Sequence, residues 1–254
     1  MLCFIIALKS KAASNNWERV STLFENSLLS AYNQIDPNFK IIVVCHEIPK
    51  LKYNYDHRVE IISVVFSPPT SKAATNLTMQ DKWKKLAVGM VRAGELKPHF
   101  IMIMDADDLV SRKLAQYANN NLTANGWIFK QGYRYRYGSR WIYWDNFFNC
   151  GTNAIVSSRL IKFPLNTHSE SIAECVVLSH GHTVIQKCLE ELGTPLVPLP
   201  FPGAVYVYGH GDNYSDTHYP KKMLPSYNLR YFLGRIRRTR YLNQKIREEF
   251  SINS

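Results

Sequence analysis

No run in the sequence approaches the roughly 18 consecutive apolar residues that a membrane span requires. No C-x-x-C pair occurs either. The five cysteines, Cys3, Cys45, Cys150, Cys175 and Cys188, are odd in number and scattered. That usage argues against a disulfide framework or a structural zinc site and for a reducing compartment. The G-x-x-x-x-G-K-[ST], H-E-x-x-H and G-x-S-x-G patterns are missing, which excludes P-loop chemistry, the common zinc-protease helix and the nucleophile elbow. "GHGDNY" misses G-x-G-x-x-G and follows no first strand, so no dinucleotide fingerprint is present. The opening "MLCFIIALK" is apolar but short, without a basic segment or a small-residue cleavage site. It reads as a strand rather than a signal peptide.

What is there belongs to a globular chain: 46% hydrophobic and 13% aromatic residues rule out disorder. The charge of +11 is uneven, because residues 221–254 hold nine Lys or Arg against Glu248 and Glu249 and so carry +7 of it. Such a tail suits an anionic surface, a membrane leaflet or nucleic acid, or simply a solvated helix face.

Apolar runs at 2–8, 39–49 and 58–66 read as buried strands, and "HFIMIM" as a fourth. Helical spacing runs from Trp17 to Tyr32 and from Met79 to Gly94, and Ser111 is placed to cap a further helix through Tyr117. Continuous apolar strands alternating with helices predict an α/β fold with a mostly parallel sheet flanked by helices. In such sheets ligands bind beyond the carboxyl ends of the strands, where "KS", "HE" and "DADD" would share one edge. The second half is richer in aromatics, Arg and Gly, predicting short strands and loops, then helix on either side of Gly181, then a strand before "GHGDN". Residues 226–250 read as a basic helix, which divides the chain into a domain over 1–220 and a basic helical extension over 221–254.

"FIMIMDADDLV" carries the chemistry. A buried strand runs into Asp105, Asp107 and Asp108, and burying a carboxylate costs several kcal/mol unless something pairs it. Carboxylates two apart beyond a strand end can converge on a hard cation, Mn²⁺ or Mg²⁺, held jointly with phosphate oxygens. A helix N-terminus explains one such Asp, or two, but not three.

Asp105-Ala106-Asp107-Asp108, after a fourth strand, resembles the D-x-D-D motif of the GT-A nucleotide-sugar glycosyltransferases, near their large inverting family. The resemblance spans roughly residues 1–205, with the Lys9-Ser10 loop, His46-Glu47 and the "DKWKKL" helix in matching order. It implies that Ala7, Leu8, Lys9, His46, Glu47, Asp81, Lys85, Asp105 and Ala106 hold the nucleotide, with Lys82 and Lys84 as rivals to Lys85. It implies Asp107 as metal ligand, joined by a late histidine, His210, with Asp212 as its rival. Asp108 is left to a supporting or capping role. The family's usual Glu-Asp base pair is replaced by "SHGH", which offers His180 or His182 as the base, with Glu170, Glu174 and Asp145 as alternatives; a retaining outcome needs none of them. Tyr135, Trp144 and Asp145, within an aromatic and Arg-rich segment, fit an acceptor site.

The resulting expectation is a transferase moving a sugar from a nucleotide-diphosphate donor to a glycan, lipid-linked or small-molecule acceptor. It would be cytoplasmic and peripheral to an anionic membrane through the basic helix, with nucleic acid disfavoured. A nucleotidyltransferase is the enzymatic alternative, disfavoured because "ALKSKAASNN" has no Gly. A non-catalytic nucleotide-sugar-binding protein is the other.

Overall fold

Leu2–Ala7 forms strand β1, and its residues alternate between two cores. Leu2, Phe4 and Ile6 face one apolar cluster, while Cys3 and Ile5 face another on the opposite side of the sheet. β2 (Phe39–Cys45) and β4 (Phe100–Asp105) divide in the same way. Burial on both faces is why these strands read as unbroken apolar runs. The computed structural model describes residues 1–70, 75–179, 181–212 and 237–252.

The central sheet has seven strands in the order β10-β6-β9-β4-β1-β2-β3. Here β3 is Val59–Ser63, β6 Gly126–Ile128, β9 Ala154–Ser157 and β10 Val197–Pro198. β4, β1, β2 and β3 are mutually parallel, and β9 enters antiparallel between β4 and β6. Helix α1 (Trp17–Tyr32) covers one face, and α2 (Thr75–Leu96) covers the other together with α4 (Ser169–Ala173), α5 (Val176–Ser179) and α6 (Gly181–Glu191). The chain is therefore a mixed α/β, Rossmann-like protein with a mainly parallel sheet flanked by helices, as expected from its sequence.

Local chemistry explains the helix ends. The Asn16 side chain accepts from the Arg19 N–H at 2.9 Å to cap α1. α2 starts earlier than its apolar pattern suggests, because its first turn is polar. Ser111 does not cap α3, which runs Leu114–Asn119 after Lys113 with no side-chain cap. Its hydroxyl donates to Glu249 and accepts the Lys113 N–H at 3.2 Å, one residue ahead of the helix.

A second, five-stranded sheet has the order β12-β8-β7-β11-β5, with β5 at Leu109–Val110, β7 at Gly132–Arg136, β8 at Trp141–Asp145, β11 at Ala204–Tyr208 and β12 at Thr239–Tyr241. β12 corrects the expectation of one basic helix over 226–250. Thr239–Tyr241 pairs antiparallel with β8; Arg237 and Arg238 just before it are helical, and after it Gln244–Phe250 forms α7. Asn243 breaks the chain there, its side chain accepting from the Ile246 N–H at 3.0 Å. α7 holds Lys245 and Arg247 against Glu248 and Glu249, so it carries no net charge. Its spacing serves burial instead, with Ile246 and Phe250 inside the core beneath the second sheet. Lys113 pairs with Glu249 at 2.9 Å and the Arg112 N–H donates to the Glu249 carbonyl, clamping α7 to the main body. Among the described residues no helix is long and apolar enough to cross a membrane.

Phe250 is 1% exposed and meets Tyr133 edge to face at 5.6 Å. Phe250→Ala is expected to cost about 3–5 kcal/mol of unfolding free energy. Chemical denaturation reads this directly; a loss within error of zero would mean that the C-terminal helix is a separate extension after all.

Candidate functional site

Three parallel strands end in register, with Ala7 opposite Val44 and Asp105. The segments that leave them therefore share one edge, and Lys9, His46-Glu47 and the acid cluster are brought together there.

The three acids have different surroundings. Asp108 is wholly buried. The Thr152 hydroxyl donates to its Oδ2 at 2.7 Å and the Val207 N–H to its Oδ1 at 3.2 Å. Ser27 of α1 donates to its carbonyl at 2.5 Å. Burial, then the charges of Asp107 and Asp105, push its carboxyl well above the usual range. Thr152 also accepts the Asp105 N–H at 2.9 Å. Asp108 is thus the brace of the loop rather than a ligand.

Asp105 forms an ion pair with Lys82 of α2. Burial pushes the Lys82 ammonium down, but Asp105, Asp107 and Asp108 outweigh it and hold the group above its ordinary value. A Cβ on Gly151 would fall 2.2 Å from Asp105 Oδ2, so only glycine leaves that carboxylate its place. Asp107 keeps 29% of its side chain exposed, and its Oδ2 lies 3.1 Å from His210 Nε2. His210 itself is nearly buried, between Gly209 and Gly211 at φ 78° and 79°. The left-handed backbone at both glycines turns the chain back on itself. Asp212 anchors this loop: it accepts from Arg19 at 2.8 Å and from the Asn15 N–H at 2.8 Å, and pairs with Lys9 at 3.3 Å. Burial raises its pKa, but these donors together hold it below the usual carboxylate range. With its oxygens so occupied, Asp212 is a strut.

A second network lies beneath. Lys85 is 1% exposed and donates to the Leu8 carbonyl at 2.6 Å while pairing with Asp81 at 2.6 Å. Burial lowers its pKa, with Asp81 opposing. Asp81 also meets His46 Nε2 at 2.7 Å, and His46 packs edge to face on Phe66 at 5.0 Å. Lys85, Asp81, His46 and Leu8 therefore satisfy one another, and Lys82 is the lysine turned towards the acids. Glu47 accepts the Lys11 N–H at 3.0 Å, while Ala106 is half-buried against the core.

The three residues expected at an acceptor site divide. Tyr135 is buried in the core under α7, because the strand's period of two puts it on that face with Tyr133 and Ile142. Trp144 lies on the same side, against Tyr133 at 5.2 Å, with the Arg240 guanidinium 5.7 Å from its centroid. Only Asp145 lies on the opposite face, paired with Arg134 at 2.6 Å. That face also holds Tyr206 and Tyr208, stacked 6.2 Å apart, with Arg134 over Tyr206 at 5.5 Å. His180 and the side chains of His182 and Glu170 lie outside the described residues. Glu174 pairs with Lys162 at 2.8 Å on an exposed surface.

Comparison with protein-family models and with curated proteins gives no match. Among solved structures the chain is similar to S. aureus TarS. One crystal structure shares 10% identity at a TM-score of 0.46, over 82% of this chain and 36% of that one. Another, of TarS 1-349, shares 9% at 0.45, over 81% and 60%. The chain thus spans less than two thirds of either.

Sequence reasoning did not find Thr152, Ser27 or Gly151. Their roles depend on strands far apart in the chain, and "CGTN" carries no local signal beyond its small residues. Among the described residues no group of three His, Cys, Asp or Glu side chains gathers as a metal cage. Asp107 Oδ2 and His210 Nε2 nonetheless suit two neighbouring ligands. Adjacent corners of an octahedron with bonds near 2.1 Å lie about 3 Å apart, and such cations commonly take the remaining oxygens from phosphate and water.

Burial, then the charge of Asp105, raises the Asp107 carboxyl to about 7, with Lys82 opposing. Between about 4, its unfolded value, and 7 the folded chain keeps a proton that the unfolded chain releases. This group's contribution to stability therefore falls as pH rises through that window, and the penalty is complete above it. Asp107→Asn should unfold at a higher temperature than the parent at pH 8 in chelator, with the gain shrinking towards pH 4. A difference that stays constant from pH 4 to pH 8 would contradict this electrostatic account.

Proposed function

We propose that the chain is a divalent-metal-dependent GT-A-type glycosyltransferase that moves a sugar from a nucleotide-diphosphate donor to an acceptor hydroxyl. The observation that carries this reading is the approach of His210, from a glycine-bracketed loop after β11, to Asp107 at the end of β4. Two sequence-distant ligand types converge at the edge where α/β sheets bind ligands.

Asp107 and His210 would hold Mn²⁺ or Mg²⁺. When bound, the cation supplies Lewis-acid neutralisation of the departing diphosphate. Lys82 lies on the same edge and can exchange its pairing with Asp105 for phosphate oxygens, a point charge on a flexible stem. Lys9 and the backbone of the first loop, which leave β1 at the same sheet edge, would contact the nucleotide. Asp105 would contact the ribose once Lys82 turns to phosphate. In the transfer, the acceptor oxygen bonds to the anomeric carbon as the bond to the diphosphate breaks, and the acceptor proton passes to a base. His180 or His182 is the proposed base. For the acceptor, the half-exposed face with Arg134, Tyr206 and Tyr208 replaces Tyr135 and Trp144, since sugar rings need aromatic surface that is open. Arg240 lies on β12 next to the exposed Tyr241, whose register partner is the exposed Trp141, which supports contact with an anionic membrane surface on the cytoplasmic side, centred on this sheet edge rather than on a helix.

Thermal-shift titration of nucleotide-diphosphate sugars with and without Mn²⁺ tests the reading, because a ligand bound at 100 times its Kd adds about 2.7 kcal/mol of stability. The parent should show a Mn²⁺-dependent shift for at least one donor, and Asp107→Ala should lose both that shift and at least about 10²-fold of turnover, with its fold kept. Full turnover in Asp107→Ala would refute the assignment.

A further inference from the structure

The outward face of the second sheet follows from its registers. Tyr133 and Tyr135 of β7 face the core with Ile142. Arg134 and Arg136 therefore point the other way, together with Tyr208 of β11, Trp141 and Asp145 of β8 and Tyr241 of β12. Asp145, the acid on this face, is taken by Arg134 at 2.6 Å. Arg136 is exposed and, among the described residues, is paired with no carboxylate. It leans towards the loop that carries His210: a Cβ on Gly209 would fall 3.2 Å from its Cγ and 3.6 Å from its Nε. The turn that follows is fixed. The Tyr137 N–H donates to the Tyr208 carbonyl and the Ser139 N–H to the Arg136 carbonyl, each at 2.9 Å, with Gly138 at φ 76°.

Beyond Arg136 the surface turns apolar. Trp141 and Tyr241 are 56% and 57% exposed and meet edge to face at 5.7 Å. Large aromatic rings left in water at a sheet edge suit an apolar surface with a wet boundary, where an indole or a phenol keeps its polar end hydrated. The strand order β12-β8-β7-β11 sets the spacing. Neighbouring strands lie about 4.8 Å apart, so Arg136 stands about 5 Å from β11 on one side and about 10 Å from β12 on the other. A molecule reaching from the aromatic edge to the loop of His210 therefore crosses Arg136. An exposed guanidinium at that crossing is charge-complementary to an anion, and its fork fits the oxygens of a carboxylate or a phosphate.

We propose that the acceptor is an amphiphile whose anionic head, a phosphate or a carboxylate, is gripped by Arg136 and whose apolar tail lies against Trp141 and Tyr241. Its hydroxyl then falls on the His210 side of Arg136, about one strand spacing from that loop. The membrane surface proposed above for the β12 edge would present such an acceptor. Calling the molecule an acceptor rests on the sugar-transfer reading; the anion site and the apolar edge do not.

Isothermal titration of the full chain in chelator, with no donor present, tests it with octyl phosphate, octanoate, 1-octanol and inorganic pyrophosphate, all below their aggregation limits. At least one octyl anion should bind saturably, about tenfold or more tighter than 1-octanol and than pyrophosphate, a factor that one charge-assisted hydrogen bond provides. The tighter of the two octyl anions identifies the head group. Arg136→Gln should erase the preference over 1-octanol, and Arg136→Lys, which keeps the charge without the fork, should retain part of it. Trp141→Ser combined with Tyr241→Ser should weaken the octyl anions about tenfold and leave pyrophosphate unchanged. No saturable binding of either octyl anion, a preference unchanged in Arg136→Gln, or undiminished binding in the double aromatic variant would overturn the proposal. Pyrophosphate bound as tightly as the octyl anions would overturn it by assigning Arg136 to the donor, and tighter binding of trigalacturonate by marking the face as a glycan site. Because neither donor nor metal is present, these outcomes are independent of the Mn²⁺-dependent donor shift that tests sugar transfer.

Discussion

The buried carboxylate of Asp108 holds the two sheets and the acid loop in one arrangement. An isolated charge in that place would cost several kcal/mol, and burial and its neighbours do push its carboxyl towards the neutral form. Thr152 reaches it from the segment before β9, Val207 from β11, and Ser27 meets its carbonyl from α1. Thr152 simultaneously takes the Asp105 N–H. Through these bonds Asp105 and Asp107 inherit fixed positions, one towards Lys82 and the other towards His210.

The loop carrying His210 depends on a similar division of labour. Asp212 is held by Arg19, Lys9 and the Asn15 backbone, so the loop after β11 is tied to the loop after β1. His210 can then stand close to Asp107, because the glycines on either side accept positive φ. Beneath this layer, Lys85, Asp81, His46 and the Leu8 carbonyl form a closed set of bonds. Closed sets of this kind set the shape of a site and leave few free charges within it. The exposed chemistry is carried by Lys82, Asp105, Asp107 and the open face of the second sheet.

Much of the fold was legible before any coordinates. β1, β2 and β4 announced themselves as apolar runs because both of their faces are buried. α1 was readable to its ends, since Val20, Leu23, Phe24 and Leu28 face inwards at helical spacing. The C-terminal segment was misread because basic composition resembles a solvated helix, whereas Thr239–Tyr241 is an edge strand whose partner lies nearly a hundred residues earlier. Tyr135 was misread for a related reason: an aromatic in an alternating strand serves a core or a surface according to which face α7 covers. Asp105 and Asp107 stand out in the sequence as acids after a buried strand, and His210 was singled out through the resemblance; the fold brings His210 to within 3.1 Å of Asp107. The distinction between Lys82 and Lys85 could not be read there, because both lie on α2 three residues apart and only the packing of that helix turns one inward.

The sequence by itself determined the buried strands β1, β2 and β4, helix α1 and the presence of an acid cluster at a sheet edge, since hydrophobic period and local charge are properties of neighbours along the chain. Only the tertiary structure decided which acid supports the loop and which faces the open site. Burial and hydrogen-bond partners set that difference, and for Asp105, Asp107 and Asp108 those partners come from α1, α2, the segment before β9, and β11 with the loop that follows it.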